Sequence, residues 1–401
     1  MLIGSGPRIG SNPPIEAFES VGWGVAGVET IMRLSSVQVG MAVAAEETIP
    51  ERMKAIVLRG PDDWGMETVS TPSIDPVENV LCKVEAVSIC GTDPKILGGH
   101  VDGWPPEYPF IPGHEWAGTV VEVGDGVDRF EPGDRVFSET HSGCGSCERC
   151  RQGRYNLCHN YGDFETGHRQ IGHTMDGAFA EYVTIPADTL YQFDESISWT
   201  EGSLLDTNAI ALQCSIRGNI APGDDVAVIG TGTVGLLLLQ HAAAMGAGQV
   251  IGIGSPARNE LAEELGADAT ISYRDDDVVE QVRELTDGLG VDVTLEAAGS
   301  EVGFQQAIEF TKKGGTISLD GIPNTEYQEI PVGTLVKQEI DFRGARAHAN
   351  KAEASARMVE NGQTDVDALI THEFEFEEFE EAFETFTERK EGAIKVAMTF
   401  P

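Results

Sequence analysis

The order of apolar and polar positions divides the chain into stretches of different character. From Met53-Lys54-Ala55-Ile56-Val57-Leu58 to about Ala187, short apolar runs such as Val80 to Val87, Gly118 to Val123 and Ala178 to Ile185 are split by Gly and Pro. Runs of that length with breakers between them predict strands, so this part reads as a β-rich domain. From about Asp224 to His348 the pattern changes. Apolar runs at Val226 to Gly230, Gln249 to Gly254, Ala269 to Tyr273, Val291 to Ala297 and Gly315 to Leu319 alternate with helical stretches. That alternation predicts parallel βαβ units in an α/β fold. The remainder has a helical stretch and ends in a strand-like run, Ala393-Ile394-Lys395-Val396-Ala397-Met398.

A length of 401 residues suits two domains of ordinary size. Residues 1–52 contain no Asp and no Lys and have no helical or strand period. They are expected to be a mis-assigned start or a disordered extension. The 66 acidic residues against 27 Lys and Arg leave a formal charge of −39, which repels nucleic-acid backbones and anionic membranes. Acids interleave with aromatics, as in Glu373-Phe374-Glu375-Phe376-Glu377, which suits a solvated folded surface better than a disordered tail. This is read as a high-salt adaptation, because salt screens self-repulsion. No run reaches the roughly 18 apolar residues of a membrane span. Met1 to Gly10 does not resemble a signal peptide, and a reducing, cytoplasmic setting is expected.

The sequence Gly230-Thr231-Gly232-Thr233-Val234-Gly235 follows an apolar run and opens the helical stretch Leu236 to Met245. That context defines a dinucleotide fingerprint. Gly230 permits the tight turn, Gly232 lets backbone approach a pyrophosphate, and Gly235 allows close helix packing. The free N–H groups at the helix start face the anion. The second strand should end in an acid for the ribose 2′-hydroxyl, but here it runs into Gly254-Ser255-Pro256-Ala257-Arg258. Gly254 leaves room for a 2′-phosphate, Ser255 can donate to it and Arg258 can pair with it, so NADP is favoured over NAD.

Four of the seven cysteines, Cys144, Cys147, Cys150 and Cys158, have the spacing Cys-x2-Cys-x2-Cys-x7-Cys in a glycine-rich loop. Four thiolates satisfy tetrahedral zinc and leave no open position, which predicts a structural site over about residues 141–160. Cys82 and Cys214 stand in apolar surroundings and are expected in the core. A second, scattered set comprises Cys90-Gly91-Thr92-Asp93, Gly113-His114-Glu115 and Asp206. Together these offer one soft ligand and several harder ones, enough for three protein bonds and an exchangeable position.

These residues resemble the zinc-containing medium-chain alcohol dehydrogenase family, above all its threonine, sorbitol and polyol branch. Pro132-Gly133-Asp134-Arg135-Val136 and Gly177-Ala178-Phe179-Ala180-Glu181-Tyr182 also match, in the same order. The resemblance implies a GroES-like catalytic domain over 53–203, a Rossmann domain over 204–346 and a return segment, 347–401, that completes the first. It implies two zinc ions per chain, a small-molecule substrate and a homodimer or homotetramer. Cys90 and His114 would hold the catalytic zinc, with Glu115 or Asp206 as the remaining protein ligand. Asp93 would orient His114. Thr92 matches the family's proton-relay hydroxyl, whereas Lys95 stands where many members have a relaying His.

The expected reaction is hydride transfer between the CH–OH group of an alcohol, polyol, sugar or hydroxy amino acid and NAD(P). A catalytically silent paralogue that binds cofactor or zinc, and a zinc-independent NADPH reductase, are the competing readings. The four-cysteine loop and the Cys90, His114 pair argue against the reductase. Substrate choice is expected to lie in the loops Gly98 to Glu107 and Phe164 to His173. Their His100, His168, Arg169 and His173 lean toward a hydroxyl-rich substrate.

Overall fold

The computed structural model describes residues 48–74, 79–101, 103–323 and 329–401. The reading of residues 1–52 lies outside the described residues except at 48–52, where Arg52 already belongs to the strand Arg52–Gly60.

Arg52–Gly60 forms an antiparallel hairpin with Asp63–Ser70. The main sheet of the first domain runs in the order Ile370–Glu375, Lys395–Thr399, Asn79–Ser88, Glu115–Val123, Arg135–Ser138 and Leu190–Gln192, and Tyr182–Pro186 also pairs with Asn79–Ser88. The final strand therefore closes a sheet that begins over three hundred residues earlier, lying antiparallel to Asn79–Ser88. Val80, Cys82, Val84, Trp116, Val120, Phe179, Phe376, Phe379 and Met398 build its core. The acidic tail shows why it folds. Ile370–Glu375 alternates in burial along its length, and Phe376 and Phe379 are buried while Glu373, Glu375, Glu377 and Glu380 stay exposed or partly so.

One predicted strand is shorter in the structure. Ala178 and Phe179 donate their N–H groups to the carbonyls of Gly113 and Pro112, and Ile56 donates to Phe179. This crossing segment is tied to loops, so regular pairing begins only at Tyr182.

The second sheet is six-stranded and wholly parallel, in the order Ala269–Ser272, Gln249–Gly254, Asp225–Ile229, Val291–Glu296, Thr311–Leu319 and Asp341–Gly344. Val226, Ala227 and Val228 are consecutive and fully buried, as expected for a strand covered on both faces. The connections diverge on either side of Asp225–Ile229, which puts a ligand crevice at its carboxyl end. The edge strand Asp341–Gly344 carries only one apolar side chain, Phe342, and its sequence gives no strand pattern. Pairing with Thr311–Leu319 makes it a strand.

The helix Leu205–Gly218 joins the two sheets. Leu205 packs with Ala117 and Phe137 of the first, while Ala211 and Cys214 lie in the core of the second. Its opening turn therefore delivers Asp206 and Thr207 to the first domain. Residues 347–401 serve both domains: Val366, Leu369 and Ile394 pack into the second core. Among the described residues no helix is long and apolar enough to cross a membrane.

Candidate metal centres and cofactor crevice

Cys90 leaves the end of Asn79–Ser88 and precedes the short helix Asp93–Leu97. Asp93 is fully buried and accepts the Cys90 N–H at 2.7 Å through Oδ2. Its Oδ1 lies 3.5 Å from His114 Nδ1, too long for a firm bond, and both atoms are otherwise unpartnered. Gly113, with φ +97°, turns the chain into Glu115–Val123, and a Cβ there would fall 2.6 Å from the Phe179 backbone nitrogen. Only glycine fits this turn, which sets His114 and Glu115 opposite the Cys90 loop.

The ligand atoms of Cys90, His114 and Glu115 lie within 4.8 Å of one another. A thiolate, an imidazole and a carboxylate match the donor set of an open zinc site. Their electrostatics favour a cation at this place. Burial alone would lower the pKa of His114, but Cys90 and Asp93 outweigh it and hold the pKa well above the usual histidine value.

Glu115 is engaged on every side. Its Oε1 accepts from Thr207 Oγ1 at 2.5 Å, and its Oε2 accepts from Ser88 Oγ at 2.7 Å and from Lys395 Nζ at 2.5 Å. Lys395 is 2 % exposed and also donates to the Ile89 carbonyl at 3.1 Å. Burial works against charging both partners, yet Lys395 holds the Glu115 carboxyl below its usual range and Glu115 raises the lysine. The sequence reading did not assign Lys395 a role. Its signal was one cation inside the otherwise apolar run Ala393 to Met398.

Asp206 borders this cluster without joining it. Its Oδ1 pairs with His348 Nε2 at 2.7 Å and its Oδ2 accepts from Thr140 Oγ1 at 2.8 Å. The His348 Nδ1 lies 3.3 Å from Glu139 Oε2, which accepts the Tyr155 hydroxyl at 2.8 Å. Burial pushes the Glu139 carboxyl up to about 8, against the pull of His348 and Tyr155. Glu139 and His348 carried no sequence motif. Thr92 caps the Asp93–Leu97 helix without a side-chain bond, and Lys95 points its exposed side chain to solvent.

The sulfurs of Cys144, Cys147, Cys150 and Cys158 lie within 4.8 Å of one another, and none is in a disulfide. The Cys144 to Cys150 and Cys147 to Cys158 separations are 4.0 and 3.9 Å. These approach the edge of a tetrahedron with ~2.3 Å bonds to a central zinc. Backbone N–H groups of Cys147 and Cys150 point at the sulfurs of Cys144 and Cys147. The Ser146 hydroxyl, aided by backbone N–H groups, pulls Cys144 down to about 5, while burial pushes Cys150 up to about 12. Four thiols this close need a cation to ionise together.

In the crevice of the second domain, Gly230 has φ +97°, and a Cβ on Gly235 would fall 1.5 Å from the Gly230 carbonyl oxygen. A Cβ on Gly232 would meet nothing within 4 Å, so this backbone faces open space. Gly232 caps the helix Thr233–Ala244, which also carries Val234.

Two details of the ribose end depart from the sequence reading. A Cβ on Gly254 would fall 2.0 Å from Thr231 Oγ1, so the glycine is needed for Thr231 to pack, whatever occupies the crevice. Arg258 is half-buried, and its guanidinium donates to the carbonyls of Thr231 at 2.8 Å and Ala393 at 3.2 Å instead of standing free. The Ser255 N–H donates to Thr231 Oγ1.

The crevice and the metal cluster meet along three consecutive residues. Arg258 binds the Ala393 carbonyl, Thr233 Oγ1 donates to the Ile394 carbonyl at 3.3 Å, and Lys395 holds Glu115. Two predicted pocket residues are core-like and not solvated: His173 is 4.3 Å from His114 and 4.6 Å from Trp104 between ring centroids, and His168 packs edge-on at 4.7 Å to Tyr161. Arg169 donates to the His168 carbonyl, and His100 is exposed.

This chain belongs to the zinc-containing medium-chain alcohol dehydrogenase family. Residues 76–195 match the alcohol dehydrogenase GroES-like domain and residues 233–361 match the zinc-binding dehydrogenase domain. Its relatives come from the polyol and threonine branch. Sorbitol dehydrogenase of Bacillus subtilis is 34 % identical over 356 residues, covering 88 % of this chain and 99 % of that protein. L-threonine 3-dehydrogenase of Pyrococcus horikoshii is 35 % identical over 360 residues, covering 86 % and 98 %. Among solved structures, a zinc-binding dehydrogenase of Sinorhizobium meliloti bound to NADP superimposes with a TM-score of 0.80 at 31 % identity, covering 87 % of this chain and all of that one.

Proposed function

We propose that this chain is a zinc-dependent dehydrogenase that transfers hydride between the CH–OH group of an alcohol, polyol, sugar or hydroxy amino acid and a nicotinamide cofactor. The observation that carries the proposal is the run Ala393-Ile394-Lys395, whose first two residues accept bonds from the cofactor crevice and whose third holds a member of the metal cluster.

Cys90, His114 and Glu115 would hold the catalytic ion, with Asp206 at its border as the alternative acid, and the ion supplies Lewis acidity that brings a substrate hydroxyl near neutral pKa. Gly230 to Gly235 would hold the nicotinamide cofactor, which would supply the hydride acceptor and donor when bound. Asp93 fixes Cys90 through its backbone N–H. Thr92 would take the hydroxyl proton toward solvent, and Lys95, exposed beyond it, is the remaining candidate in that relay. Lys395 offsets one of the negative charges crowded around the ion, so that the cluster is not over-anionic. The buried His173 and the partly buried Trp104 would exclude water beside His114. The four cysteines would hold a second, structural zinc. A panel of simple alcohols, polyols, sugars and threonine, assayed with both cofactors in high salt, tests the reading: absence of any turnover by zinc-loaded protein would end it.

The cofactor proposed is NADP, because the second strand ends in Gly254-Ser255 with no acid to claim the ribose. Arg258 must exchange its two carbonyl contacts for the 2′-phosphate. Arg258→Ala is expected to raise KM for NADP by about 10- to 100-fold, the worth of a hydrogen bond to a charged group, with KM for NAD little changed. A tenfold preference of the native protein for NAD in kcat/KM would refute the assignment.

The remaining proposals are a cytoplasmic homodimer or homotetramer that acts on a small molecule, without nucleic acid or membrane as partner, adapted to high salt. A charge of −39 is screened within about 3 Å at 1 M salt but over about 30 Å at 0.01 M. Activity and thermal midpoint should both fall as salt is removed. A melting curve indifferent to salt would contradict the adaptation.

A further inference from the structure

The four-cysteine lobe is linked to the acid side of the metal cluster by a path of hydrogen bonds with one ion-pair step, the 3.3 Å approach of His348 Nδ1 to Glu139. Tyr155 lies between Cys150 and Cys158 in sequence and packs beside the sulfurs: a Cβ on Gly143 would fall 2.6 Å from Tyr155 Cβ and 2.7 Å from Cys150 Sγ. Its hydroxyl accepts the Asn350 N–H at 2.7 Å and donates to Glu139 at 2.8 Å. Asn350 also donates to the Gly153 carbonyl of the lobe, and Asn156 binds the Arg346 carbonyl, so residues 346–350 are clamped against the lobe on both sides of His348. His348 is 2 % exposed and bridges Glu139 to Asp206. Asp206 shares its helical turn with Thr207, which holds Glu115.

We infer that Tyr155, Glu139 and His348 are positioning residues that couple the four-cysteine lobe to the first turn of Leu205–Gly218, so that the lobe's geometry sets how firmly the catalytic ion is held. The inference rests on the proposed metal site, and it goes beyond a purely structural role for the lobe. A structural site acting only on local stability needs no polar path to the second site. Here Tyr155 bonds Glu139 and His348 bonds Asp206, while Glu139 and His348 face each other as a buried ion pair, so moving the first group changes the bond or the charge that the next one meets in a desolvated place. Orienting partners of this kind change metal retention by about 10- to 100-fold.

The test follows zinc release from the loaded enzyme to 4-(2-pyridylazo)resorcinol, with Cys90→Ser identifying the phase that belongs to the catalytic ion. Tyr155→Phe, which keeps the ring and removes the hydroxyl, is expected to speed that phase about tenfold and leave the lobe phase unchanged. Glu139→Gln is the second variant, and the double variant should be no faster than the faster single, because both break one path.

A Tyr155→Phe catalytic phase equal to wild type, while Asp206→Asn accelerates release, would overturn the coupling and leave the metal site standing. If Asp206→Asn also changed nothing, the assignment of Asp206 to the border of the ion would fall. Equal acceleration of both phases, or singles that multiply in the double, would also overturn the coupling.

Discussion

Cys90→Ser is expected to lower turnover by about a thousandfold or more while the affinity for the nicotinamide cofactor stays within a few fold of native. The lost Lewis acidity is worth several kcal/mol in the transition state, and each ~1.4 kcal/mol is a factor of ten in rate. Serine keeps the size of the side chain but is a poor zinc ligand. Its neighbours report the rest: Asp93 still accepts the backbone N–H of residue 90, so the loop keeps its shape. The glycine loop is on another sheet and should bind cofactor as before. Cofactor affinity by fluorescence titration and turnover on the best alcohol of the panel give the two readings. Wild-type activity in this variant would mean that the reaction does not depend on that thiolate.

Lys395→Met is expected to cost about 3–5 kcal/mol of stability, the usual result of removing one partner from a buried ion pair. Lys395 and Glu115 are each 3 % exposed or less. Without the ammonium, the Glu115 carboxylate keeps only Ser88 and Thr207 as donors. The paired variant Lys395→Met/Glu115→Gln should recover much of the loss, because no buried charge is then left alone. Chemical denaturation of the three variants measures this. Additive losses in the double variant would show that the two groups do not depend on each other.

The two cases show where sequence was informative. Cys90, His114 and the four cysteines have side chains whose chemistry narrows their use, and their spacing to turn glycines such as Gly113 can be read directly. The glycine loop was legible for the same reason: Gly235 has no room for a Cβ, whatever surrounds it. Lys395 and His348 were not legible, because a lone cation or imidazole has many uses and only the folded sheet brings residue 395 beside 115, or the loop after Asp341–Gly344 beside 206.

At the level of fold, the buried parallel strands announced themselves as apolar runs, since both faces are covered. The edge strand Asp341–Gly344 did not, because half its surface is open and its pairing, not its composition, makes it a strand. The ribose end was legible only in part, for a similar reason. Gly254 and Arg258 fit a phosphate-binding pattern by residue type, but packing on Thr231 and Ala393 already gives both a structural task.

Anomalous X-ray diffraction above and below the zinc edge, on crystals of protein whose activity has been measured, tests the central claim most directly. The expected map has two peaks per chain, one bounded by the Cys90 sulfur, the His114 imidazole and an acid, and one inside the four cysteines. A fully active protein with no peak beside Cys90 and His114 would contradict the account.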